Sequence, residues 1–184
     1  MISKTALVML SCISSMMASP MLEPTSPRMV ELSREKISGG HLVYFGHPKR
    51  TNDIHEVEKR GWFGSTPKCT VTATPSCDSK HHLARNAICD KLVTELWGDS
   101  GVVVPDSPRQ ICYLGEAIDK NAHCCVSWSK AVPNLTKGDL AVHANSILST
   151  CTSNGISGRV ANVLVGKSNT CAAVCLSNRG TRCK

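Results

Sequence analysis

The chain has 184 residues, 21 Lys or Arg against 14 Asp or Glu, a formal net charge of +7, and 4% aromatic residues. With 41% hydrophobic and 19% charged residues it lacks the composition of a disordered chain, and its length sets one domain with a tail as the expectation. A core poor in aromatics must be built from Val, Leu, Ile and Ala, so a thin core in a small domain calls for covalent help.

Residues 1–18 read as a signal peptide. Lys4 is the positive n-region, Ala6 to Leu10 opens an apolar run that continues with small residues to Met17, and Ala18-Ser19 offers small residues for cleavage. The run is shorter than the about 20 apolar residues of a membrane span, and no later segment approaches that length. Cleavage at Ala18 would carry away Cys12.

Residues 19–60 differ in character. They hold no cysteine, open with Pro20, Pro24 and Pro27, and carry two dibasic pairs, Lys49-Arg50 and Lys59-Arg60. Dibasic pairs in an exposed segment are substrates of secretory-route processing proteases. This stretch is expected to be a pro-segment or disordered linker, with cleavage after Lys59-Arg60 and a mature start near Gly61.

Residues 61–184 hold the other ten cysteines: Cys69, Cys77, Cys89, Cys112, Cys124, Cys125, Cys151, Cys171, Cys175 and Cys183. An even count at this density in an exported chain reads as a disulfide framework, and ten cysteines allow about 945 pairings. Cys69 to Ala73 is β-branched and alternating, as in a short strand. An N-cap at residues 77–79 is followed by a helical pattern to Trp97, with Ala84, Ile88, Leu92 and Leu96 four apart, stopped at residues 98–101. Extended segments follow at residues 102–104, 110–114 and 123–129. Cys124 and Cys125, adjacent in a strand, should point to opposite faces and tie it to two different elements.

Thr136 followed by Asp139 is a capping-box pattern. Leu140, Ala144, Ile147 and Cys151 continue it as a second helix, ended by Asn154-Gly155. Residues 159–165 and 171–177 read as strands, with Cys171, Ala173 and Cys175 on one face. The predicted fold is α+β: a small disulfide-rich sandwich of an antiparallel sheet with two helices packed on it, built of split strand–helix–strand units.

Four stretches then carry a resemblance: Pro-Asp-Ser-Pro-Arg-Gln-Ile-Cys from Pro105 to Cys112, Cys-Cys-Val-Ser-Trp from Cys124 to Trp128, Ile-Ser-Gly-Arg-Val-Ala-Asn-Val-Leu from Ile156 to Leu164, and Cys-Leu-Ser-Asn-Arg from Cys175 to Arg179. With Cys77 and Cys89 they resemble the secreted fungal WD-like family over about Cys69 to Cys183. The resemblance implies a small secreted fungal protein and no established activity. It implies no propeller, because the chain is too short for the blades and shows no repeat of that period. The run from Gly138 to Val142, followed by Cys151, also resembles the killer toxins of smut-fungus viruses, a likeness of architecture and cysteine density that carries no function across.

Chemistry is harder to find. His81-His82 lies near Cys77 and Cys89, and His123 precedes Cys124-Cys125, but the spacing misses the paired ligands of a zinc site. No metal or other cofactor is expected. His81, His82, His123, His143, Glu95 and Glu116 could serve acid–base hydrolysis but form no motif, and no Gly-x-Ser-x-Gly elbow is present. From Gly61 onward thirteen Lys or Arg face eight Asp or Glu, scattered except for Arg179, Arg182 and Lys184. Few aromatics are present to stack bases, so no specific nucleic-acid partner is expected. Asn134-Leu135-Thr136 is a glycosylation sequon. The expectation is a monomeric, unanchored, non-catalytic extracellular effector that binds a host or microbial protein or cell-surface component. A killer-toxin-like antimicrobial and a small secreted hydrolase are the alternatives.

Overall fold

The computed structural model describes residues 29–47, 69–70, 73–78, 83–105, 108–116, 122–168, 170–178 and 183. Residues 1–18, Lys59, Arg60, His81, His82, Arg179, Arg182 and Lys184 lie outside them.

Apolar residues three and four apart build two helices. Helix α1 (Asn86–Gly98) buries Cys89, Leu92, Val93 and Leu96. Helix α2 (Lys137–Thr150) buries Leu140, Ala141, Ala144, Ile147 and Leu148. The strands are β1 (Val30–Ile37), β2 (Gly40–Gly46), β3 (Ser76–Cys77), β4 (Pro108–Gly115), β5 (His123–Trp128), β6 (Gly158–Val165) and β7 (Thr170–Ser177). They form one sheet in the order β1-β2-β4-β5-β7-β6-β3, antiparallel at every pairing.

Two helix–hairpin units make up its centre. Helix α1 leads into hairpin β4–β5, α2 leads into hairpin β6–β7, and the units join where β5 pairs with β7. Strands β5 and β6, joined through α2, are parallel with β7 inserted between them, a split strand–helix–strand unit. Both helices cover the same face. Their apolar stripes close one core with Leu42, Tyr113, Val126, Val174 and Leu176 of the sheet. This is the small disulfide-rich α+β fold that the order of strands and helices predicts.

Local differences have local causes. Residues 30–46, which the sequence reading assigns to a pro-segment or linker, are strands β1 and β2 of the sheet. The extended segment expected from Cys69 reduces, among the described residues, to a single parallel bridge from Thr70 to Val163. Helix α1 begins later than the 77–79 cap implies: Leu83 bridges Ile156 and the Ala84 N–H donates to the Gly155 carbonyl at 2.9 Å, so residues 83–85 are extended and the helix starts at Asn86. The segment at 102–104 reduces to one bridge, Val103 to Thr136, flanked by Val104 N–H to Leu135 O at 2.7 Å and Lys137 N–H to Val102 O at 2.9 Å. The Thr136 hydroxyl accepts from the Asp139 N–H and Asp139 accepts from the Thr136 N–H, so the capping box forms as the spacing predicts. Gly155, left-handed at φ 75°, ends the short 3-10 turn after α2.

Candidate functional site

The N-terminal hairpin defines the least expected part of the molecule. Ser38-Gly39 turns β1 into β2, with Gly39 left-handed at φ 73°. At the next residue a side chain on Gly40 would collide with the Leu114 carbonyl of β4. The Tyr113 hydroxyl donates to the Gly39 carbonyl at 2.8 Å, fixing the turn to β4. Strand β2 then pairs with β4 from Gly40↔Gly115 to Phe45↔Gln110, and Leu42 and Val43 are fully buried on opposite faces.

Strand β1 is the outermost strand and is exposed along nearly its whole length. A bulge between Glu31 and Ser33 interrupts its register with β2. Arg34 grips Glu31 with two bonds, Nε to Oε1 at 2.9 Å and a terminal nitrogen to Oε2 at 3.0 Å. That hydrogen bond holds the Glu31 carboxyl below its ordinary value. Charges and a bulge on an outer strand discourage another strand from adding to it.

Behind the hairpin lies a buried cation. Lys137, the first residue of α2, is only 2% exposed. Its Nζ lies 2.9 Å from Asp99 Oδ2 at the end of α1 and 3.4 Å from Glu35 Oε2 of β1. The Tyr44 hydroxyl of β2 donates to the same Glu35 oxygen at 3.1 Å. Burial alone would lower the pKa of Lys137, but hydrogen bonds to Asp99 and Tyr44 and the charge of Glu35 outweigh it, and the net shift is upward. Burial raises the pKa of Tyr44, partly countered by Lys137. An ammonium held charged is a poor nucleophile at neutral pH. The cluster is therefore a clamp, joining the hairpin to the ends of both helices.

The ten framework cysteines form five bridges distributed over both faces of the sheet. On the helix side Cys89 of α1 joins Cys124 of β5, and Cys77 of β3 joins Cys151 at the end of α2. On the opposite side Cys112 of β4 joins Cys125 of β5, directly across the ladder. Cys69 and Cys183 join Cys171 and Cys175, which lie on that same side of β7. The neighbours Cys124 and Cys125 thus tie β5 to two different elements. Asn134 is exposed, in a turn with left-handed φ 52°, a conformation that Asn tolerates. The Thr136 hydroxyl of its sequon is engaged with Asp139 at 2.7 Å. The processing residues Ala18, Lys59 and Arg60 lie outside the described residues.

The acid–base candidates are dispersed. Glu95 lies on α1, Glu116 follows β4, His123 opens β5, and His143 of α2 meets the Leu164 carbonyl through Nε2 at 3.0 Å. Among the described residues no group of three or more His, Cys, Asp or Glu is placed to hold a metal ion. No described helix is long and apolar enough to cross a membrane. Sequence reasoning missed the Lys137 clamp, because its partner Glu35 is 102 residues away and each member reads locally as a solvated surface charge.

Comparison with known families places most of this chain. The model of a family described as Fungal WD-like matches residues 56–183, which takes in every framework cysteine and leaves the β1–β2 hairpin outside. No curated protein and no solved structure matches the chain.

Proposed function

Because the chain belongs to the fungal WD-like family, we propose that it is a secreted, non-catalytic effector that acts outside the cell by binding a host or microbial target. The observation that carries the reading is the bridge network: all ten cysteines from Cys69 onward are paired, in a pattern that staples both faces of one sheet. Such bonds persist in oxidising compartments and resist proteolysis by suppressing open states. The apolar stretch at residues 1–18 supplies the export route, and Asn134, on an exposed turn, is open to glycosylation on that route.

The test is expression of the full chain in a secreting fungal host. The expected result is an oxidised product in the medium, with its N-terminus at Ser19 or Gly61 by mass spectrometry and Asn134 released as Asp after enzymatic deglycosylation. Retention of an uncleaved, reduced chain inside the cell would overturn the secretion reading. Loss of infectivity on gene deletion, with unchanged growth in culture, supports the effector role. Growth inhibition of fungi or bacteria by the purified protein would move it to the killer-toxin reading, and RNA or glycan cleavage abolished by His123→Ala would move it to the hydrolase.

A further inference from the structure

We propose that the outer edge of β4, with the Lys137 pocket beside it, is a strand-binding groove, and that the β1–β2 hairpin is its exchangeable resident, standing in for an extended strand of a partner protein. The proposal deepens the binding reading above and rests on it.

Three observations carry it. The first concerns covalent attachment. Residues 13–68 contain no cysteine and the ten cysteines from Cys69 onward are paired with one another, so no disulfide within the chain holds the hairpin, whereas every other described element of the sheet lies within the span closed by the five bridges. The second is the family boundary: the matched residues 56–183 contain β3 to β7 and both helices but not the hairpin. Within the matched residues the sheet of this chain has β4 at its edge, and the hairpin fills that edge. The third is complementarity. Strand β2 docks through a backbone ladder, with Leu42 and Tyr44 directed to the helix core, and its neighbour β1 delivers Glu35 to Lys137. When the hairpin leaves, Lys137 keeps Asp99 but loses Glu35 and the Tyr44 hydroxyl.

The fitting ligand is therefore an extended segment that runs antiparallel to β4. It has apolar or aromatic side chains at alternate positions, and an adjoining turn or strand carries a carboxylate to Lys137, as β1 carries Glu35. Main-chain hydrogen bonds would give affinity, and the two side-chain positions and the cation would give selectivity. The Lys-Arg pairs at 49–50 and 59–60 fall between the hairpin and Cys69. Hydrolysis after Arg60 consumes one water, leaves a carboxylate on Arg60 and an amine on Gly61, and makes the hairpin a separate chain.

The experiment uses the full chain with a site for a specific protease in place of residues 59–60, purified in oxidised form and cut in vitro. It therefore does not depend on whether the protein is secreted or naturally processed. The cut pieces should separate on a denaturing gel without reductant yet co-elute as one folded particle. Fluorescent peptides covering residues 29–47 should then exchange into the groove, whereas a scrambled peptide should not. Glu35→Lys in the 29–47 peptide should weaken uptake by about tenfold or more, as expected for a charge-assisted contact replaced by repulsion.

Unfolding of the remaining chain on cutting, read as loss of dispersed amide resonances, would overturn the proposal and make the hairpin an integral part of the fold. A hairpin that stays bound and never exchanges would overturn it as well. Uptake confined to a hairpin still attached to a second copy, read as a dimer of cut and uncut chains, would reassign the groove to self-association.

Discussion

The two flanks of the sheet are held in different ways. At one end the two-residue β3 is secured by cystines, with β6 laddered between it and β7: Cys77–Cys151 pins β3 to α2, and Cys69–Cys171 pins the chain preceding β3 to β7. At the other end β1 and β2 are secured by a backbone ladder, by Leu42, Val43 and Tyr44, and by the clamp around Lys137. Bridges restrict the unfolded chain and survive any local opening, while ladders and ion pairs are lost when a segment detaches. One flank is thus a permanent part of the domain and the other is reversible. The family match ends between them.

Removing the longest staple should give the largest effect. Cys69→Ser with Cys171→Ser opens a link of 102 residues that the intact Cys77–Cys151 bridge shortcuts, and the loop-entropy relation sets the loss at about 3–4 kcal/mol in guanidinium unfolding. On the unbridged flank, Leu42→Ala removes a fully buried side chain and should cost about 3 kcal/mol. Native-state hydrogen exchange would sharpen the contrast: amides of Leu42 and Tyr44 should exchange at least about tenfold faster than those of Val160 and Val174, through an opening that leaves the bridged flank closed.

Alkaline pH should act on the reversible flank alone. Lys137 has its pKa raised by folding, so its contribution is complete below the unfolded value of about 10.4 and is lost as pH rises through the folded value. Tyr44, also raised, favours its neutral form and loses stability in the same direction, starting near pH 10. The thermal midpoint should stay level from neutral to about pH 10, then fall. Lys137→Met should flatten that fall. The smallest effect belongs to neither flank: Thr136→Ala removes the α2 cap and should cost about 1 kcal/mol, measured by the same denaturant titration.

Much of the bridged part was legible in the sequence. The four-residue spacing of Ile88, Leu92 and Leu96 marks a helix that packs on one side, although Ala84, in phase with them, lies in the extended segment before it. The Thr136-x-x-Asp139 pattern marks a helix start, because the chemistry of a cap is local. Adjacent Cys124 and Cys125 announce a strand tied on both faces, because side chains alternate along any strand. The hairpin was not legible for the opposite reason. Strand β1 is exposed on both faces, so its Glu, Arg and Lys residues show no apolar alternation and read as linker. The signal was in Ser38-Gly39-Gly40 followed by His-Leu-Val-Tyr-Phe, a turn ahead of an apolar run. The Lys137 clamp had no local signature, since its members come from β1, β2, α1 and α2.

The neighbouring cysteines of β5 have a consequence for how the chain reaches its native pairing. A slip of β5 by one residue against β4 would turn Cys124 toward Cys112 and Cys125 toward α1, and would carry Val126 and Trp128 out of the core. Such an isomer still has five bonds and the same mass, so oxidation alone does not distinguish it. Only burial of Val126 and Trp128 does. In this molecule the apolar core proofreads the disulfides, and the disulfides then make that choice of register permanent.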